Sequence, residues 1–105
     1  MTTAETIDEG VRRIIAESCP SRIILFGSYA RNEPSADSDL DLLVVVPVVA
    51  DRREEMVRLQ HRLRGLGIPV DVLVFSERQV AEWGDVRGTV LYPALREGIV
   101  LYEAA

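Results

Sequence analysis

The sequence predicts an α/β layered domain, a mixed four-stranded sheet packed with helices. Three features carry that reading. Stretches with helical periodicity alternate with short apolar runs of strand length. Glycine and proline fall between these segments. A full helix separates the second apolar run from the third, which is the length of a parallel crossover. The 105 residues bound the chain to one globular domain, 1–105, and no internal repeat or linker divides it.

Along the chain, Ile7, Val11, Ile14 and Ile15 recur at i, i+4, i+7 and i+8, one face of a first helix. Thr2 and Glu5 have capping-box spacing at its start, and Pro20 lies beyond its end. Arg22–Phe26 is a short apolar strand stopped by Gly27-Ser28. Residues 29–38 are polar and turn-rich, with a helical turn available over Ser28–Asn32. A second strand runs from Asp39 to Val46 and ends at Pro47. Asp51 and Glu54 have capping spacing before a helix that turns Met56, Leu59, Leu63 and Leu66 inward, closed by Gly65 and Gly67. Pro69 opens a third strand, Val70–Phe75. Ser76 and Gln79 cap a short helix ending near Gly84. Thr89–Glu97 reads as a helix that tolerates Pro93 only near its start, and Gly98 stops it. Ile99–Tyr102 is the last strand.

Composition narrows the chemistry. All twelve basic residues are arginine, against seventeen acids, for a net charge of −5. An acidic chain without a basic stripe argues against direct nucleic-acid binding. Without lysine, Schiff-base chemistry and a Walker-type phosphate loop are excluded. One histidine, His61, and one cysteine, Cys19, cannot build an imidazole or thiolate metal site. The longest apolar run, Leu42 to Ala50, is short of the roughly 20 residues that span a membrane, and no signal segment is visible. A cytoplasmic protein is expected, its chemistry drawn from carboxylates, hydroxyls, arginines and backbone.

Side chains two apart on a strand share a face, so Asp39 and Asp41 project together while Leu40 and Leu42 turn away. Two carboxylates held that close repel unless a cation lies between them. Oxygen ligands on a rigid strand suit Mg²⁺ or Mn²⁺. Asp71 interrupts an otherwise apolar strand, where a buried carboxylate needs a partner. If the second and third strands are parallel they begin at one sheet edge, and the three aspartates converge there. For Gly27-Ser28 to reach that edge, the first strand must run antiparallel to the second. Glycine lets backbone approach a ligand closely, and the N–H groups that follow can hold a phosphate, with the Ser28 hydroxyl as a further donor. A phosphate cradle beside a carboxylate-bound cation describes a nucleoside triphosphate site.

Gly27-Ser28, then Asp39-Leu40-Asp41 before an apolar strand, and later Asp71, resembles the DNA polymerase β-like nucleotidyltransferase superfamily. GSYARNEPSADSDLDLLVVV and the tail LREGIVLYE are similar to the minimal nucleotidyltransferases, the antitoxin halves of modules whose toxin is a helical HEPN ribonuclease. The resemblance implies the polymerase β-like fold and two Mg²⁺ ions. One is chelated by Asp39 and Asp41 and holds the triphosphate of ATP; the other is shared with Asp71 and activates the attacking hydroxyl. Gly27 and Ser28 hold the terminal phosphates, and Arg31 offsets developing negative charge. In that family AMP passes to a tyrosine hydroxyl of the toxin, which is thereby neutralised. Asn32 stands where family members often carry glycine, and asparagine tolerates left-handed backbone. No helical acceptor domain is visible, so the acceptor is expected on a partner. Two alternatives stand beside this reading: an inactive module that neutralises its partner by occlusion, and a nucleotidyltransferase for a small molecule.

Plainer roles compete at single positions. A calcium loop starting at Asp37 is rejected, because Leu42 and Val48 occupy its glycine and glutamate positions. Asp71 on its own reads as ion-paired with an arginine of the Arg52–Arg64 helix, Ser28 as a helix N-cap, and Arg31 as a surface residue. Glu54 stands i, i+4 to Arg58 on a solvated face, with His61 on its flank. Cys19, Trp83, Tyr92 and Tyr102 read as packing residues, the aromatics in core or interface.

Overall fold

The computed structural model describes residues 2–105. Its elements are α1 (Thr3–Ser18), β1 (Arg22–Phe26), α2 (Gly27–Ala30), β2 (Leu40–Val46), α3 (Arg52–Arg62), β3 (Val70–Ser76), α4 (Glu77–Trp83), α5 (Leu91–Glu97) and β4 (Ile99–Glu103). The four strands form one sheet in the order β3-β2-β1-β4. β2 and β3 are parallel, while β1 is antiparallel to both β2 and β4, so the sheet is mixed as expected.

Local signals explain most boundaries. Thr2 caps α1 through a capping box: its hydroxyl accepts from the Glu5 N–H at 3.1 Å, and its own N–H donates to Glu5 Oε1 at 2.9 Å. Asp51 caps α3, and Ser76 with Gln79 forms a second box at the head of α4. The penultimate segment starts later than its periodicity suggests: α5 begins at Leu91, not Thr89, because the Thr89 hydroxyl donates to the Val86 carbonyl at 2.8 Å and holds a turn there.

The sheet is covered on both faces. Leu40, Leu42, Val44 and Val46 of β2 pack toward Ile14 of α1 and Leu59 of α3. Leu43 and Val45 point the other way, toward Leu91 and Ala94 of α5. This two-sided burial is why β2 reads as a continuous apolar run rather than an alternating one. Arginines tie α1 to α3. Arg13 donates to the Arg62 and Arg64 carbonyls at 3.2 and 2.9 Å, and Glu17 receives Arg58 and Arg62 at 3.5 and 3.0 Å. The expected Glu54–Arg58 pair is not among them. Arg58 turns to Glu55 of α3 and Glu17 of α1, both mostly buried, whereas Glu54 is exposed.

One packing expectation fails: Cys19, which closes α1 in the left-handed conformation with φ 48°, is exposed. Trp83 is 50% exposed, which fits the interface half of its expected role and not the core half.

Candidate active site

The strand pairing assembles the carboxylates. In the parallel β2–β3 register Asp41 lies directly beside Asp71, and both have the parity of the residues facing α4 and α5. In the antiparallel β1–β2 register Phe26 lies opposite Asp41, so the chain leaves β1 into Gly27 at the same edge. The expected antiparallel β1 is what brings the glycine to the aspartates.

Gly27 has φ 75°, and its backbone packs closely against the Asp41 side chain. A Cβ placed on it would press on the Asp41 Oδ2 oxygen and stand 3.1 Å from the carboxyl carbon. The chain then makes one helical turn, α2, whose cap position is Phe26 and whose leading N–H groups have no side-chain cap. Ser28 is therefore inside the turn and not its N-cap, and its hydroxyl is not engaged as a cap. Asn32 takes φ 59°, the left-handed conformation expected of it in place of glycine.

Electrostatics at this edge are unbalanced. Burial pushes the Asp41 carboxyl above the ordinary carboxylate value, repulsion from Asp71 and then Asp39 pushes it further, and Arg31 pulls it partly back. Asp39, Asp71 and Arg31 are thus all within electrostatic reach of Asp41. Asp39 falls one residue short of β2, which starts at Leu40, and is exposed. Asp71 is exposed as well, contrary to the expectation of a buried carboxylate, because β3 is an edge strand with one side open to water. It forms no ion pair with an α3 arginine among the described residues. Arg31 is half exposed and shared between Glu33 and Glu97, each at 3.8 Å.

Among the described residues, no three His, Cys, Asp or Glu side chains stand close enough together to hold one metal ion. The donor set nonetheless suits a hard divalent cation: carboxylate oxygens only, with the Asp41 carboxyl raised by burial and then by its neighbours' negative charge. No helix among the described residues is long and apolar enough to cross a membrane.

Comparison with known proteins agrees with this architecture. Residues 6–93 match the model of the nucleotidyltransferase domain. The chain belongs to that family. As a nucleotidyltransferase domain it resembles two solved structures in fold. One is a protein from Sulfolobus solfataricus provisionally designated a nucleotidyltransferase, with TM-score 0.66 and 19% identity, covering 94% of this chain and 78% of that one. The other is a toxin-antitoxin crystallised with AMP-PNP, with TM-score 0.56 and 21% identity, covering 98% and 75%. No curated protein is matched. The contact of Gly27 with Asp41 has no local signal in the sequence, because the β1–β2 register creates it.

Proposed function

We propose that this nucleotidyltransferase moves AMP from ATP to a protein hydroxyl, a tyrosine of a cognate HEPN-type toxin, and so acts as its antitoxin in the cytoplasm. The observation that carries the reading is the register that sets Asp41 beside Asp71 with the Gly27 turn pressed on Asp41. The family supplies the reaction class, a transfer from a nucleoside triphosphate. The likeness to a toxin-antitoxin structure holding AMP-PNP supports the choice of partner and nucleotide.

In this reading Asp39, Asp41 and Asp71 are the ligands of Mg²⁺, with Mn²⁺ as an alternative. When bound, the ions supply charge neutralisation and lower the proton affinity of the acceptor hydroxyl. The leading N–H groups of α2 and the Ser28 hydroxyl hold the terminal phosphates, and Gly27 keeps the backbone close enough to do so. Arg31 leaves its long, exposed pairs with Glu33 and Glu97 for the phosphate, which is inexpensive because such pairs contribute little. The acceptor oxygen attacks the α-phosphorus and loses its proton to solvent. The bond to the bridging oxygen breaks, and pyrophosphate leaves with that electron pair.

The test is to incubate the chain with α-labelled ATP, Mg²⁺ and the HEPN-type toxin proposed as its partner. Label on the partner is expected, lost with Asp39→Asn plus Asp41→Asn. Normal labelling by that double variant removes the assignment. Rescue from the toxin by the same variant at equal expression, without label, points instead to neutralisation by occlusion.

A further inference from the structure

A groove on the α4/α5 side is lined by Arg52, Phe75, Gln79, Trp83, Val90 and Leu91 and encloses 250 Å³. That lies below the roughly 300 Å³ at which small-molecule pockets begin, and matches one large side chain better than a nucleotide. Its rim is apolar and exposed, with Trp83 at 50% and Val90 at 41%. Val86 stands beside it, fixed by its N–H donating to the Trp83 carbonyl at 3.0 Å. Tryptophan and arginine are among the side chains enriched where binding energy concentrates at protein interfaces.

The charge of the groove is opposite to that of the molecule. The chain carries −5, yet the lining holds one arginine and no carboxylate. Arg52 stacks on the Phe75 ring with its guanidinium carbon 4.0 Å from the centroid and donates through Nε to the Val74 carbonyl. It forms no ion pair among the described residues, so its outer nitrogens are available to an acid.

Position relates the groove to the site. Asp71, Leu73 and Phe75 share one face of β3 by alternation. Phe75 lies four residues beyond Asp71, about 13 Å at ordinary strand rise. One partner surface can therefore cover the groove and still present a hydroxyl at the carboxylate edge. From these observations we infer that the groove docks the acceptor-bearing partner, through an apolar side chain flanked by a carboxylate that meets Arg52. This inference rests on the transfer proposed above. Binding at the groove then positions the acceptor, contributing to transfer without touching the reacting atoms.

The experiment measures binding of the HEPN-type toxin proposed above, and its labelling from α-labelled ATP, with wild type, Trp83→Ala, Val86→Asp and Arg52→Glu. Each variant is expected to raise the KM for the protein acceptor, roughly tenfold or more for Trp83→Ala. Affinity for Mg²⁺·ATP should be unchanged in all of them. Circular dichroism melting checks the fold, and the exposed Val86→Asp serves where Arg52→Glu loosens the sheet. If wild type binds and labels the partner and the variants do so equally well, the groove assignment is overturned while the transfer stands. If wild type neither binds nor labels, both fall. If the variants instead abolish self-association of the chain without its partner, the occupant is a second copy and the assignment is overturned.

Discussion

At the scale of single residues, Gly27 answers two demands together: a left-handed backbone and no side chain against Asp41. Alanine there adds strain of about 1 kcal/mol from the positive φ alone. It also displaces the carboxylate that touches its Cβ. Gly27→Ala should lower the melting temperature by at least 4 °C, the lower end for about 1 kcal/mol in a domain of this size, and reduce labelling of the acceptor more than tenfold. A variant that melts lower but labels normally leaves Gly27 structural. Asp41 shows the opposite compromise. Its folded-state carboxyl is raised by burial, Asp71 and Asp39, so the folded chain keeps a proton that the unfolded chain has already released. Stability therefore falls as pH rises from the ordinary value of 3.8 through the raised one, and the cost is complete at neutral pH. Asp41→Asn should melt above wild type at pH 7 in chelator, with the difference closing below the ordinary carboxylate value, while activity is lost. Equal melting curves at pH 7 would mean that the repulsion is relieved by solvent. Asp39 and Asp41 were legible as a pair from spacing alone. That Asp71 is exposed was not, because burial on a strand depends on whether the strand is central or at an edge, and order in the sheet is not a local property.

At the scale of elements, the caps were the most legible features and the strand edges the least. Thr2, Asp51 and Ser76 each cap the helix that their spacing announces, since a cap is a contact between residues three apart. Strand β4, in contrast, announces only its apolarity; its place beside β1, with a register shift between Ile23 and Ile24, is decided by partners far away in sequence. Ser76 joins β3 to α4 and so fixes where α4 lies over the sheet. Ser76→Ala removes the hydroxyl that accepts from the Gln79 N–H at 3.1 Å, at a cost of about 1 kcal/mol. The expected result is a melting temperature lower by roughly 4–8 °C, with the affinity for Mg²⁺·ATP unchanged, since the cap is at the far end of β3 from Asp71. Loss of nucleotide affinity at full folding would show that α4 and the carboxylate edge are coupled through β3.

Over the whole molecule, the fold concentrates negative charge at one sheet edge of an already acidic chain. The crossover through α3 made the placing of Asp41 beside Asp71 readable in advance, because parallel neighbours begin at one sheet edge. A divalent cation bound at the edge stabilises only the folded chain, since the unfolded chain cannot hold residues 39, 41 and 71 together. At a tenfold excess over its dissociation constant, the gain is about 1.4 kcal/mol, which corresponds to a melting temperature higher by roughly 6–11 °C. Mg²⁺ and Mn²⁺ should each produce it, and ATP with Mg²⁺ should produce more than either alone. Sodium chloride at matched ionic strength should not, because screening weakens exposed pairs as much as it relieves repulsion. The combination Asp39→Asn, Asp41→Asn and Asp71→Asn should melt at one temperature with or without Mg²⁺. A cation-induced rise that survives the triple substitution places the ion elsewhere on the acidic surface and separates the stability effect from the carboxylate edge.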